Sequence, residues 1–161
     1  MKTLWAPWRI QYILSKKEPQ CIFCKYPKED KDRENLILHR REHTYVIMNR
    51  YPYNNGHLMI VPYFHTSTFD GLSDEVLKEM MTLTKYSVDC LTKAFRPEGF
   101  NIGINIGKVA GAGIEEHLHI HIVPRWAGDV SFMTILDDVR VIPEHIIETY
   151  DKLYPVFNRD R

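Results

Sequence analysis

Between positions 117 and 125 three histidines, His117, His119 and His121, alternate with Leu118, Ile120 and Ile122 and are followed by Val123, Pro124 and Arg125. A period of two belongs to an extended strand whose neighbouring side chains take opposite faces. The run therefore predicts a strand with Leu118, Ile120 and Ile122 turned to a core and all three imidazoles on the other face. Successive residues on one face lie about 6.5 to 7 Å apart, close enough for two or three rings to meet one polyphosphate or one metal ion. A merely solvated face would carry Lys, Thr or Glu here. Imidazole is neutral and nucleophilic near neutral pH, and a second imidazole can carry a proton.

The rest of the chain reads as support for that strand. At 161 residues, 44% hydrophobic and 26% charged, it predicts one domain, 1–161, with a core that needs no disulfides, flanked by an N-terminal extension (1–20) and a C-terminal one (126–161). Lys plus Arg and Asp plus Glu balance at 21 each, so no global basic field recruits nucleic acid, and an anionic ligand must be held by local groups. The first residues mix basic and aromatic side chains without a continuous apolar run, which predicts neither a signal peptide nor a membrane span, and a cytoplasmic location. Pro7 stands where a short helix could begin, and Trp5, Trp8 and Tyr12 could pack on the domain or on a second subunit.

Three cysteines suit reduced thiols or a metal site rather than a disulfide framework. Cys21 and Cys24 bracket Ile22 and Phe23; on spacing alone the pair could be half of a zinc site, a buried thiol pair or a redox couple. Strands are expected over 36–41, 45–50 and 57–62, joined by turn-forming stretches that include Asn54-Asn55-Gly56, and neighbours in sequence pair antiparallel most simply. Ser73 followed by Asp74 and Glu75 opens a helix that Pro97 and Gly99 stop after Phe95, with Met80, Met81 and Cys90 on its packing surface. A strand over 100–107 and a glycine-rich loop over 107–113 lead into the histidines, and loop glycines let main-chain amides approach phosphate. A second helix is expected over 143–153.

The run His117 to Val123 fits, without a mismatch, the His-apolar-His-apolar-His-apolar-apolar motif, and the chain resembles the histidine-triad family over about residues 21–125. The resemblance implies an α+β fold: an antiparallel sheet of about five strands covered on one face by helices, in a homodimer. It further implies a nucleotidyl transferase or hydrolase that cleaves dinucleoside polyphosphates through a covalent nucleotidyl-histidine. His119, the middle histidine, would be the nucleophile, with His121 binding the phosphate oxygens and His57 beside them. Asn49, in Asn49-Arg50-Tyr51-Pro52, stands where an Asn contacts ribose, and Asn105 where an amide meets the phosphate chain. Zinc-bearing relatives imply a structural zinc on Cys21, Cys24, His65 and His117.

Gly128-Asp129-Val130-Ser131 and Val141-Ile142-Pro143 look most like the diadenosine-tetraphosphate phosphorylases of the family, though Ser131 replaces an expected Asn. Ile114 stands where several relatives carry a Ser or Thr that can protonate the leaving group, and it cannot supply that proton. The same chemistry with an amine leaving group would make the chain a nucleoside phosphoramidase. A nucleotide-binding interaction protein with little catalysis is the other alternative.

Overall fold

The computed structural model describes residues 20–111, 113–129 and 142–159. The aromatic N-terminal segment, Ser131 and the segment around it lie outside the described residues. Two single turns of helix, α1 (Ile22–Lys25) and α2 (Asp32–Asn35), precede β1 (Ile37–Arg40), β2 (Thr44–Met48) and β3 (Leu58–Pro62); then come α3 (Asp74–Phe95), β4 (Gly99–Ile104), β5 (Ile120–Arg125) and α4 (Ile146–Phe157). The strands form one antiparallel sheet in the order β1-β2-β3-β5-β4, in accord with the α+β expectation.

Helix α3 begins and ends where local chemistry dictates. Ser73 is extended at the N-cap, Asp74 and Glu75 sit in the first turn, and Arg96 adopts φ 48° as its N–H closes on the Thr92 carbonyl. Met80, Leu83, Cys90 and Leu91 are buried against the sheet. Met81 is 61% exposed, contrary to the sequence reading. One residue is a rotation of about 100°, and this carries Met81 off the stripe that Met80 occupies.

The two sheet faces differ in what covers them. Thr44 donates to Glu79 of α3, which fixes Thr44, Val46 and Met48 on the α3 side. On the opposite side Tyr45 donates to the Phe23 carbonyl of α1, and register places Ile47, Met59 and His121 in one row. The link from β2 to β3 is a nine-residue loop, 49–57, rather than a tight hairpin. Gly56 closes it at φ 75°, and a Cβ there would come within 3.2 Å of Leu91 and 3.4 Å of Phe95. Only glycine combines that backbone angle with so close an approach to α3.

Candidate active site

The expected strand is shorter than the histidine run: it starts only at Ile120, and His117 stands in a bend ahead of it. His117 and His119 lie ahead of it, held by the Leu118 N–H on the Thr66 carbonyl (2.6 Å) and by His117 Nε2 on the Pro62 carbonyl (2.8 Å). Both faces of the run are buried. Leu118, Ile120 and Ile122 are inaccessible as expected, and His117, His119 and His121 are only 0%, 3% and 9% exposed. Alternation here therefore does not separate inside from outside. Neutral imidazoles can be buried where lysine could not, provided each ring nitrogen finds a role.

Those roles divide the three rings between two sites. A carbonyl can only accept, so His117 carries its proton on Nε2 and presents the Nδ1 lone pair to Cys21 Sγ (3.4 Å), Cys24 Sγ (3.6 Å) and His65 Nδ1 (3.2 Å). Cys24 Sγ lies 3.3 Å from the same His65 nitrogen. All four ligand atoms fall within 4.8 Å of one another. Metal bonds of about 2.1 Å to nitrogen and 2.3 Å to sulfur set tetrahedral edges of about 3.3 to 3.8 Å, so this donor set fits a four-coordinate metal ion. Burial, with Cys24 alongside, pushes the Cys21 thiol up to about 11. A bound cation would have to displace that proton.

His119 sits on the other side of the same peptide. Its Nδ1–H donates to the His117 carbonyl at 2.7 Å, which leaves the lone pair on Nε2. The Phe23 ring, fully buried between the two cysteines, meets His119 edge-on at 5.0 Å and His117 at 5.5 Å. Burial lowers the proton affinity of His119, keeping it neutral.

His121 packs against His119 with centroids 4.6 Å apart, and its Nδ1 lies 2.9 Å from His57 Nε2. Its own Nε2 is buried with no protein partner among the described residues. Gly103 is directly opposite His121 on β4, and a Cβ added to Gly103 would meet nothing within 4 Å. The sheet is therefore open at Gly103, in the row that His121 shares.

Burial, and after it His119, hold His121 down to about 4 from an ordinary value of 6.5. The unfolded chain takes up this proton below its ordinary value while the folded chain refuses it. Stability is therefore complete above about pH 6.5 and declines as the pH falls toward 4. Urea unfolding at about pH 7.5, 6 and 5 should give a falling midpoint, with a shallower fall in His121→Gln. Equal slopes in the two proteins would refute the assignment.

The structure brings together His57, His119 and His121, and separately Cys21, Cys24, His65 and His117. Asn49 reaches the first group through its main chain, its N–H on the His57 carbonyl at 2.9 Å, while its Oδ1 accepts the Tyr51 N–H. Asn105 lies one residue beyond the last paired positions, Ile104 and Ile120, just outside the ladder. Ile114 is half-buried against the core.

Three features escaped the sequence reading. One is Phe23. Another is Tyr53, whose ring lies over His57 and His121. The third is a clasp in which Asp129 takes two hydrogen bonds from Arg125 (2.6 and 2.8 Å) and one from Asn54 (2.8 Å), while Arg125 also reaches Asn101. Arg125 holds the Asp129 carboxyl down to about 2. The spacing of four between Arg125 and Asp129 was the one available signal for the clasp.

Comparison with known proteins agrees with this geometry. Residues 30–128 match the HIT domain. The chain is 38% identical over 158 residues to the AP-4-A phosphorylase of Mycobacterium tuberculosis (strain ATCC 25618 / H37Rv), covering 92% of this chain and 80% of that protein. It is 30% identical over 105 residues to the adenosine 5'-monophosphoramidase of Saccharomyces cerevisiae, covering 65% of this chain and 62% of the other. Among solved structures, a Zn-bound histidine triad family protein from Mycobacterium smegmatis superposes with a TM-score of 0.70 at 25% identity, covering 87% of this chain and 94% of that one. With the domain match spanning more than half its length, the chain belongs to the HIT, or histidine-triad, family.

Proposed function

We propose that the protein is a nucleotidyl transferase that cleaves dinucleoside polyphosphates through a covalent intermediate on His119. The observation that carries this reading is the tautomer of that residue: Nδ1–H is committed to the His117 carbonyl, so the Nε2 lone pair is available without any proton transfer. In the first step Nε2 attacks the α-phosphorus, an N–P bond forms, and the bond to the bridging oxygen breaks to release the polyphosphate. An acceptor oxygen then displaces the imidazole, and the lone pair returns to Nε2. His121, donating from its buried Nε2–H, stabilises charge on the phosphate oxygens. Asn49 and Asn105 serve the nucleoside and the phosphate chain.

The acceptor is inorganic phosphate in this reading, which the M. tuberculosis phosphorylase supports. Diadenosine tetraphosphate with phosphate should give ADP and ATP, and the rate should collapse in phosphate-free buffer. AMP and ATP at an unchanged rate would identify a hydrolase instead. The yeast relative favours a second reading, turnover of a nucleoside phosphoramidate by the same intermediate with an amine leaving group. An adenosine phosphoramidate in parallel assays distinguishes the two by kcat/KM.

Zinc is the metal that fits two thiolates and two imidazoles with no open coordination position, and such a closed set is structural. It would tie the turn 21–24 to the His117 peptide. The working protein is a homodimer in the cytoplasm in this reading. β4 ends the sheet with Ile102 49% exposed, an edge that a second copy could cover. Among the described residues no helix is long and apolar enough to cross a membrane.

A further inference from the structure

We infer that Tyr53 is a positioning residue, its main-chain N–H setting the tautomer of the His57–His121 pair and its ring holding the two imidazoles in place. The inference rests on His121 being the donor to phosphate. A peptide N–H can only donate, and that of Tyr53 points at His57 Nδ1 from 3.1 Å. His57 therefore carries its proton on Nε2, which donates to His121 Nδ1 at 2.9 Å. His121 must then hold its proton on Nε2, the buried atom with no protein partner among the described residues. The two bonds run in one sense, and reversing the one between the imidazoles would set the Tyr53 N–H against a second donor at His57 Nδ1. The reversed pair would present His121 to phosphate as a lone pair, which repels an anion.

The side chain supplies the second half of the device. The Tyr53 ring lies 4.6 Å from that of His57 at 38°, and 5.8 Å from that of His121 at 27°. It overlaps both members of the pair and resists the ring flip that would put Cδ2 in the place of Nδ1 and Cε1 in that of Nε2, breaking the bonds that fix the tautomers. Its own loop is fixed on both sides. The Asn54 carboxamide donates to Asp129 (2.8 Å) and to the Pro124 carbonyl (3.1 Å), and the Asn54 carbonyl accepts the His57 N–H (3.2 Å). The Arg125–Asp129 clasp thus holds the loop from which the Tyr53 amide is aimed.

The test compares Tyr53→Ala, Tyr53→Leu and Tyr53→Phe in the full chain, reading the histidine ring nitrogens by two-bond proton–nitrogen NMR alongside kinetics. In wild type His121 should be protonated at Nε2 alone. Removing the ring in Tyr53→Ala should mix its tautomers and lower kcat about tenfold with KM within about twofold, since small misplacements of an active group cost up to about 100-fold. Tyr53→Leu keeps bulk without the flat ring and should behave the same way, so a failure of the alanine variant to fold leaves the comparison intact. Tyr53→Phe should restore the single tautomer and bring kcat to within about threefold of wild type. A wild-type His121 protonated at Nδ1 would overturn the inference. So would a single tautomer in the folded alanine or leucine variant, or a raised KM at unchanged kcat. The spectra are recorded without turnover, so they test the pair even if the proposed substrate is wrong, which the His119 variant decides separately.

Discussion

His119→Ala is expected to abolish turnover of diadenosine tetraphosphate, lowering kcat by at least about four orders of magnitude, because removing a covalent nucleophile forfeits the whole two-step route. Nucleotide affinity should change far less. Among the described residues the His119 ring makes one hydrogen bond, to the His117 carbonyl, and His121, Asn49 and Asn105, the residues proposed to hold the nucleotide, stay in place in the variant. Calorimetric titration of the variant with a non-hydrolysable dinucleotide, beside wild type, separates the two effects. Rapid quench of wild type should trap label from the α-phosphoryl group on protein in an acid-labile form, as an N–P bond requires, and the variant should trap none. Wild-type turnover in His119→Ala would remove the nucleophile from this reading altogether.

The second large effect concerns the metal centre. Protein purified without chelator should carry about one equivalent of zinc, and Cys24→Ser should carry almost none, since a four-ligand closed site tolerates no missing corner. A metal that binds only the folded chain stabilises it by about 4 kcal/mol at a free concentration a thousandfold above Kd. For a chain of this size, chelation should therefore lower Tm by about 8 to 16 °C. The loss should be steeper at low pH, where thiolate ligands are reprotonated. Activity should fall as well, because the carbonyl that orients His119 belongs to His117, one of the four proposed ligands. A Tm unmoved by chelation in protein shown to have lost its metal would make the site incidental to the fold.

Sequence and structure agree most closely where a short-range rule governs. The boundaries of the helix at 74–95 follow from local chemistry, Ser73 at one end and Pro97 just past the other, whereas the strand expected across the histidine run begins only at Ile120. The reading strained where a rule needed a partner. Met81 was placed on a stripe whose width only packing defines, and the burial of all three histidines depended on what the opposite face meets. The cluster proposed to hold a metal was legible only through family resemblance, because Cys21 and Cys24 name at most two corners while His65 and His117 stand 41 and 93 residues beyond Cys24. Tyr53 left no trace at all in the sequence pattern. Its role depends on how a nine-residue loop closes, and that is set by Asn54 meeting Asp129 across 75 residues of chain.

The order β1-β2-β3-β5-β4 gives the histidine strand a second duty during folding. Among the described residues β5 is the last strand in sequence, and it lies between β3 and β4, so β4 has no neighbour in this sheet until β5 arrives. A nascent chain ending before residue 120 can pair β1, β2 and β3 and lay α3 upon them, yet β4 must wait as an unpaired segment. The insertion of β5 adds both remaining ladders together, and the same step carries His117 to the cysteines made 96 and 93 residues earlier. Closure of the sheet and assembly of the reactive site are thus one long-range event, the kind that loop-closure entropy makes slow. A partly made molecule cannot be a partly active one.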